Sequence, residues 1–239
     1  MRVRAVSWNV HSWRDSYFRP QFSDMLAILR DLRPDVLLLQ EARWHPERGV
    51  YSPEISALRT ELELEGFAFC PTHTSPVRHH SVGHVILARP GVTDCRTSTL
   101  GQFLSVKRML LTARAPFGGT TLSLATTHLS PWPPPAFPAW HWDWLPRCAE
   151  TRKLIECLGE CDGPVLLGVD MNAQPAATDV SRLASTLRPA SLSHYSHVTG
   201  CCLDYIFASP SLQVNHLPVH LTTSPSDHYP VAADLILPG

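Results

Sequence analysis

Short apolar segments recur along the chain, and almost every one of them ends in a polar side chain. The run DVLLLQE, residues 35–41, passes from four consecutive apolar residues to Gln40 and Glu41. The run VLLGVDMN passes into Asp170 and Asn172 in the same way. A continuous apolar run of this length is typical of a strand that is buried on both faces. Because a core strand gains nothing from polar residues at its end, these residues indicate a functional site.

The rest of the pattern predicts a chain of mixed α/β class. Gly118 and Gly119 separate two strand-like runs and are typical of a hairpin turn. Hairpins combined with helix-to-strand units predict a mixed sheet, or a pair of sheets, covered by helices. Strands are predicted over 2–10, 35–41, 81–89, 164–169, 203–208 and 231–237, and helices from Ser23 to Pro34, over 54–65 and over 150–158.

Length and composition limit the class of protein. The chain has 239 residues without a repeat or a linker, so we expect residues 1–239 to form a single catalytic domain. With 44% hydrophobic and 17% charged residues it can bury a large core. No window approaches the roughly 18 consecutive apolar residues of a transmembrane helix. The N-terminus also lacks a signal-peptide pattern, so we expect a cytoplasmic protein without stable membrane insertion.

The cysteines and the net charge exclude two further classes. Seven cysteines without a Cys-x-x-Cys pair predict buried, reduced thiols rather than a disulfide framework. A net charge of −1 provides no general attraction to nucleic acid and argues against a tight non-specific DNA-binding protein. A nucleic-acid substrate is still compatible with this charge, since a local arginine patch can bind phosphates.

The polar residues at the strand ends indicate a functional site only when they are considered together. Singly, each is most often a solvated, capping or structural residue. Together they converge if the strand ends share one edge of the sheets, and such a group of carboxylates is costly without a cation. Oxygen-rich groups of this kind suit Mg²⁺ or Mn²⁺. The set comprises Asn9, Glu41, His128, Asp170, Asn172, Asp204, Asp227 and His228.

The motifs SWNV, LQE, THL, DMN, LDYIF and SDHYPV, in this order, resemble the endonuclease/exonuclease/phosphatase superfamily. The resemblance spans residues 5–236. It implies a DNase I-like α/β fold, a four-layered sandwich of two facing mixed β-sheets flanked by helices. It also implies a divalent-metal-dependent hydrolase that cleaves a phosphoester by in-line attack of water, with Mg²⁺ or Mn²⁺ as cofactor.

The resemblance assigns roles on the metal and water side of the site. It implies that Glu41 is the principal metal ligand, with Asn9 beside it and Asp227 contributing. Asp170 would orient or deprotonate the attacking water. Asn172 would hold the phosphate or that water.

The resemblance also assigns the groups that contact the phosphate. His228 would act as a hydrogen-bond donor or general acid/base, and Asp204 would fix its tautomer. His128 would donate to a non-bridging phosphate oxygen. Whether Asp170 or His228 is the base remains open at this point.

Two features bear on the substrate. Arg43, two residues beyond Glu41, matches a position from which DNase I-like members reach the nucleic-acid backbone. The segment 131–146 is rich in proline and tryptophan, and it follows His128 closely. Because prolines restrict the chain, we expect its residues 132–144 to form one wall of the substrate groove. Trp140 and Trp142 are its candidate substrate contacts.

The favoured function is a nuclease or a DNA/RNA end-processing phosphodiesterase. Arg108, Arg147 and Arg152, near predicted strand ends, favour a nucleic-acid substrate, and tryptophans can stack on bases. The alternatives are a sphingomyelinase-like phospholipid phosphodiesterase and a phosphatase of small phosphorylated molecules. A non-enzymatic binding protein is disfavoured because every motif residue is intact. No obligate protein partner is evident.

Overall fold

The computed structural model describes residues 1–44, 52–75, 80–103, 106–131, 145–191 and 195–237. The strands are β1 (Arg2–Asn9), β2 (Val36–Trp44), β3 (Gly66–Ser75), β4 (His80–Ala88), β5 (Thr93–Phe103), β6 (Val106–Phe117), β7 (Thr120–His128), β8 (Val165–Asp170), β9 (Arg188–Pro189), β10 (Asp204–Ala208), β11 (Gln213–Leu217) and β12 (Val231–Ile236). The helices are α1 (Phe22–Leu32), α2 (Pro53–Leu62), α3 (Leu145–Gly159) and α4 (Thr178–Ala184).

These strands form two six-stranded mixed sheets. The first has the order β11-β12-β1-β2-β4-β3, and the second has the order β5-β6-β7-β8-β10-β9. Each sheet contains one parallel pair, β1–β2 in the first and β7–β8 in the second. Neighbouring parallel strands end at the same edge of their sheet, so the polar residues at those ends are brought side by side.

Three buried clusters define the layers. Apolar side chains of both sheets meet between them, as Leu38 and Leu166 do. Helices α1 and α2 pack on the outer face of the first sheet through residues such as Leu29. Helices α3 and α4 pack on the second sheet through residues such as Leu154 and Leu183. The predicted four-layered sandwich of two facing mixed sheets flanked by helices is confirmed.

The first helix begins earlier than the sequence suggests. Ser23 lies inside α1, whose N-cap is Gln21, so the predicted Ser23 cap is wrong. The backbone N–H of Gln21 donates to the carbonyl of Trp13, which fixes the chain at the point where the helix starts. The helix ends at Arg33, which has a left-handed φ of 50° directly before Pro34.

The boundaries of the next two helices also differ from the prediction. Ser52 caps α2 by accepting from the N–H of Ile55, and the left-handed Glu63 ends it before the predicted residue 65. Helix α3 starts at Leu145, well before the predicted residue 150. All seven cysteines are free, but Cys95 is exposed and Cys161 and Cys201 are half-buried, so the predicted burial of the thiols is correct for four of the seven. None of the described helices is long and apolar enough to cross a membrane.

The two sheets approach each other closely at Gly168, immediately before the last two residues of β8. A Cβ atom at this position would lie 2.6 Å from the Ser7 hydroxyl oxygen and 2.8 Å from Leu38 Cβ. We therefore expect Gly168→Ala to lower the free energy of unfolding by about 1–3 kcal/mol, the usual cost of overpacking a core. Thermal unfolding measures this as a lower melting temperature.

The matched control is Gly119→Ala in the β6–β7 turn, where an added Cβ meets no atom within 4 Å. Its melting temperature should stay close to that of the wild type. Equal melting temperatures for the two variants would contradict the close approach of the sheets at Gly168.

Candidate active site

A β-bulge at the end of β2 turns Glu41 out of the core. The register between β2 and β4 shifts between Leu39 and Ala42, and Glu41 has a left-handed φ of 53°. A bulge places two consecutive residues opposite one partner residue and redirects their side chains. Gln40 is consequently fully buried, whereas the Glu41 side chain is 32% exposed at the edge of the sheet.

Gln40 links the two sheets beneath this edge. Its amide nitrogen lies 3.1 Å from the Ser7 hydroxyl in β1 and 2.9 Å from the Thr126 hydroxyl in β7. The same nitrogen is 3.4 Å from the carbonyl of Gly168 in β8. Buried polar contacts of this kind hold their partners in one arrangement. Gln40 thus fixes Glu41 relative to the strand ends of the second sheet.

In the second sheet, β7 and β8 end side by side at His128 and Asp170, which are register partners. The backbone N–H of Asn172 donates to Asp170 Oδ1 at 2.9 Å, so the chain turns back on the carboxylate. Asn172 has a left-handed φ of 47°, a conformation that asparagine tolerates better than most residues. The Asp-x-Asn spacing therefore places both side chains at the C-terminal end of β8.

Asn9, at the end of β1, links the end of β2 to the end of β8. Its amide nitrogen donates to Glu41 Oε1 at 3.2 Å and to Asp170 Oδ2 at 3.0 Å. Its amide oxygen accepts from the N–H of His11. One side chain thus contacts the carboxylates of both sheets, and the predicted convergence of Asn9, Glu41 and Asp170 is observed.

The His128 ring lies between these two carboxylates. Its Nδ1 is 3.4 Å from Glu41 Oε1, and its Nε2 is 3.4 Å from Asp170 Oδ2. The amide nitrogen of Asn172 lies 2.7 Å from Nε2 and also donates to the carbonyl of Leu129. Since that nitrogen is a donor, Nε2 accepts, and the ring proton resides on Nδ1 facing Glu41. Burial is the largest influence on the pKa of His128 and lowers it, which favours the neutral ring.

His228 and Asp204 form a second buried pair beside Asp170. Asp204 begins β10 directly opposite Asp170 in the antiparallel register. His228 Nδ1 is 2.8 Å from Asp204 Oδ2, and its Nε2 is 3.7 Å from Asp170 Oδ2. The indole N–H of Trp8 donates to the backbone carbonyl of His228 and fixes its position.

The charges of this group follow from its contacts. Burial acts to lower the pKa of His228, but Asp204 and Asp170 outweigh it and raise that pKa to about 10. Burial acts to raise the pKa of Asp170, but His128 and His228 outweigh it and lower that pKa. Burial raises the pKa of Asp204 to about 6 against the effect of His228. At neutral pH the group is therefore an imidazolium between two carboxylates.

Asp227 lies on the other side of His228, with two histidines that the sequence reasoning missed. Its Oδ1 is 3.7 Å from His11 Nδ1. The rings of His197 and His228 are in contact, with centroids 4.7 Å apart. His11 follows Asn9 by two residues, a spacing that could have indicated its place; His197 gives no comparable signal.

Two buried residues form the floor of the site, and the sequence reasoning missed the first of them. His84 in β4 has its pKa lowered to about 3 by burial and then by His128 and Arg108. Burial also lowers the pKa of Arg108 in β6, against the charges of Glu150, Glu41 and Asp170. Arg108 thus places a positive charge behind the carboxylates.

Arg147 has a different environment from the one that the sequence reasoning assumed. It is fully buried, and its Nε donates to Asp179 Oδ2 at 2.7 Å. Its Nη1 donates to the carbonyl of Asn172 at 2.8 Å. Arg147 therefore supports the Asp170–Asn172 turn and does not lie on a surface that nucleic acid could reach.

The predicted substrate contacts are described only in part. Arg43 is half-buried in β2, and its carbonyl accepts from the Trp13 indole. Trp140 and Trp142, with the whole segment 132–144, lie outside the described residues.

The donor set fits a hard divalent cation. Glu41 and Asp170 bring two carboxylates to Asn9, and carboxylate and amide oxygens are the ligands that Mg²⁺ prefers. The Asn9 amide presents its nitrogen to both carboxylates and its oxygen to the N–H of His11, so Asn9 would hold the cation only with its amide turned over. In the described part of the chain, two sets of three side chains have their possible metal-ligand atoms within 4.8 Å of one another, and the two sets share His228. They are Asp170–Asp204–His228 and His197–Asp227–His228.

Residues 6–228 match the sequence profile of the endonuclease/exonuclease/phosphatase family. The chain belongs to this family. The match includes each of the eight polar residues that converge at the strand ends, from Asn9 to His228. Enzymes of the endonuclease/exonuclease/phosphatase family hydrolyse phosphoesters.

Solved structures show the same fold. The human Nocturnin catalytic domain with bound sulfate anion is 20% identical, with a TM-score of 0.73 over 98% of this chain and 94% of that chain. A humanized D. rerio TDP2 is 17% identical, with a TM-score of 0.68 over 99% of both chains. The mannosyl-6-phosphatase of Bacteroides thetaiotaomicron is 14% identical, with a TM-score of 0.66 over 98% of this chain and 100% of that chain. No curated protein sequence matches the chain.

Proposed function

We propose that the protein is a divalent-metal-dependent phosphodiesterase that hydrolyses nucleic acid, as a nuclease or an end-processing enzyme. One observation carries the proposal. Asp170 Oδ2 lies 3.0 Å from the Asn9 amide, 3.4 Å from His128 Nε2 and 3.7 Å from His228 Nε2. An ionised carboxylate surrounded by N–H groups and two imidazoles is suited to bind and deprotonate a water molecule beside a phosphate.

The charge of His228 distinguishes the base from the acid. A protonated imidazole cannot accept a proton, and the pKa of His228 is raised well above neutral. Asp170, whose pKa is lowered, is then the proton acceptor for the attacking water. His228 donates a hydrogen bond or a proton to the phosphate, and Asp204 holds its Nδ1.

The remaining side chains bind the phosphate. The amide nitrogen of Asn172, which donates to His128 Nε2, would turn this N–H to a non-bridging oxygen of the phosphate, where the charge of the transition state collects. His128 would donate through Nδ1, on the side that faces Glu41. Glu41 and Asn9 would hold Mg²⁺ or Mn²⁺, with Asp227 on the far side of His228. When bound, the cation supplies positive charge that offsets the charge of the phosphate.

The structural neighbours support phosphate chemistry at this fold, and one of them supports an alternative substrate. The Nocturnin catalytic domain and TDP2 share the fold over nearly the whole chain, and the Nocturnin domain holds a sulfate anion. The mannosyl-6-phosphatase supports a phosphatase of small phosphorylated molecules as the second candidate. Arg43 at the edge of the site favours a nucleic-acid backbone.

A substrate panel tests the proposal. Purified protein with Mg²⁺ is incubated with single-stranded DNA, 5′-tyrosyl DNA, mannose 6-phosphate and sphingomyelin, and products are separated by chromatography. We expect cleavage of the DNA substrates. Cleavage of mannose 6-phosphate or sphingomyelin alone would contradict the choice of nucleic acid.

The ionisation of His228 gives a prediction about pH. Asp204 raises the pKa of His228, so the imidazolium persists to higher pH. Removing that charge in Asp204→Asn lowers this pKa. Activity should therefore be lost at a lower pH, with the alkaline limb of the kcat profile moved down by about 1–3 units.

The control for this experiment is Asp31→Asn, an exposed position in α1. Its alkaline limb should coincide with that of the wild type. An unchanged limb in Asp204→Asn would mean that the protonated form of His228 is not required for activity.

A further inference from the structure

A cavity of about 810 Å³ lies directly beside the catalytic group. It is bounded by residues 195–200 on one side and by the ends of β11 and β12 on the other. Its volume is within the range of about 300–1,000 Å³ that is usual for ligand sites. The lining side chains include Tyr195, His197, Val198, Leu217, Val219 and Tyr229.

The wall of this cavity is continuous with the catalytic residues. His197 lines the cavity, and its ring contacts the ring of His228 at 4.7 Å. The backbone N–H of Val198 donates to the carbonyl of Asp227 at 2.9 Å. The N–H of Tyr229 donates to the carbonyl of Ser196 at 2.8 Å. His197 therefore contacts both the cavity and His228.

The side chains that line the cavity determine which ligand fits. No Asp, Glu, Lys or Arg occurs among its described lining residues, so a second phosphate would find no cation there. Its polar groups are the imidazoles of His197, His216 and His220, the hydroxyl of Thr222 and the tyrosine hydroxyls. A hydrocarbon chain offers these groups no hydrogen-bond partner, whereas a ligand with a polar edge does. An uncharged flat ring with a polar edge needs no cation and can form hydrogen bonds with these groups.

Two tyrosines supply faces for such a ring. Tyr229 lines the cavity next to His228, and Tyr195 lines it with 64% of its surface exposed. Aromatic side chains bind bases by stacking, without requiring a particular sequence.

We propose that this cavity binds a nucleobase of the substrate, attached through its sugar to the phosphate that is cleaved. The proposal rests on the proposed function, since it presumes a nucleic-acid phosphodiester at His228 and Asp170. A base can enter a concave cavity only when it is not stacked in a duplex. The site therefore selects single-stranded ends or short oligonucleotides over internal positions of a duplex.

The test uses a dinucleotide, thymidylyl-thymidine, and two analogues in which one thymidine is replaced by an abasic residue. All three contain the same phosphodiester. With Mg²⁺ present, we expect the wild type to cleave the dinucleotide with a kcat/KM about 5- to 150-fold above that of one of the abasic analogues, as expected for stacking of one base. Chromatography of the products gives the rates.

Tyr195→Ala removes one of the two stacking faces and should lower this ratio several-fold, while the rate for the discriminated abasic analogue stays unchanged. The matched control is Tyr17→Ala. Tyr17 is a tyrosine with 78% of its surface exposed, on the segment after β1 and outside the cavity lining. That variant should keep the full ratio.

The possible outcomes separate the two proposals. Cleavage of the dinucleotide and of both abasic analogues at the same rate would overturn the base-binding cavity and leave the phosphodiesterase intact. If Tyr195→Ala and Tyr17→Ala lower the wild-type ratio equally, the assignment of the cavity to a base would also be overturned. Cleavage of sphingomyelin micelles in preference to the dinucleotide would assign the cavity to lipid. Absence of any cleavage of nucleotides would overturn both proposals.

Discussion

Asp170→Asn is expected to lower kcat by about 10²–10⁴-fold with little change in KM, the usual effect of removing a positioned acid/base group. The exchange keeps the size of the side chain and removes only its charge and its basicity. Asp170 is fully buried at the junction of the two sheets, where Asn9, His128 and His228 face it. In the described part of the chain, no other carboxylate lies between both imidazoles.

The measurement is the steady-state rate with Mg²⁺, together with thermal unfolding to verify that the variant is folded. Asp24→Asn, an exposed exchange of the same kind in α1, is the control and should behave as the wild type. A folded Asp170→Asn variant with wild-type kcat would remove Asp170 from the mechanism.

Glu41→Gln has the second largest expected effect, a loss of activity of about 10²–10³-fold or more at millimolar Mg²⁺. The loss corresponds to the several kcal/mol that a cation contributes to stabilising a phosphoryl transition state. Glutamine keeps the shape of the side chain at the bulge but removes the negative charge that attracts the cation. Activity should recover in part as the Mg²⁺ concentration is raised.

Glu61→Gln is the matched control, because Glu61 lies on α2 and pairs with Arg30 on the surface. Its dependence on Mg²⁺ should equal that of the wild type. An identical Mg²⁺ dependence for Glu41→Gln would show that Glu41 does not hold the metal.

The sequence predicts the meeting of the strand ends for a physical reason. An apolar run that is buried on both faces ends where the chain reaches the edge of its sheet, and functional side chains are placed there. The structure has one parallel pair in each sheet, which sets Asn9 beside Gln40 and His128 beside Asp170. The two parallel pairs therefore meet the condition on which the predicted convergence depended, that the strand ends share one edge.

The strands that the sequence reasoning missed are mostly at the edges of the sheets. The edge strands β3, β5 and β11 end the two sheets, and β5 and β11 are largely exposed. Exposed edge strands carry polar residues and lack the apolar alternation that marks a buried strand. In β3, Pro71 further weakens the pattern, and it lies at a shift in the register with β4.

The interior polar residues were missed or misread for a different reason. His84 lies within β4 and Arg108 close to the start of β6, and their proximity to His128 and Glu41 depends on how the sheets face each other. Arg147 occupies a helix that packs on α4, where it pairs with the buried Asp179. Only the packing of layers distinguishes such an arginine from one that binds substrate.

The wall formed by residues 132–144, with Trp140 and Trp142, stays a prediction. Trp140→Ala together with Trp142→Ala should weaken binding of the natural substrate while the melting temperature stays near that of the wild type. If the double variant instead loses stability and cleaves every substrate equally poorly, the segment is part of the core.

The central claim is that this site hydrolyses phosphodiesters with the help of a divalent cation. Its most direct test is the rate of hydrolysis of bis(p-nitrophenyl) phosphate by protein stripped of metal with EDTA, before and after Mg²⁺ or Mn²⁺ is added. We predict no hydrolysis before the addition, full hydrolysis after it, and little recovery in Asp170→Asn. Undiminished hydrolysis in excess EDTA, or equal rates for the wild type and Asp170→Asn, would contradict the account.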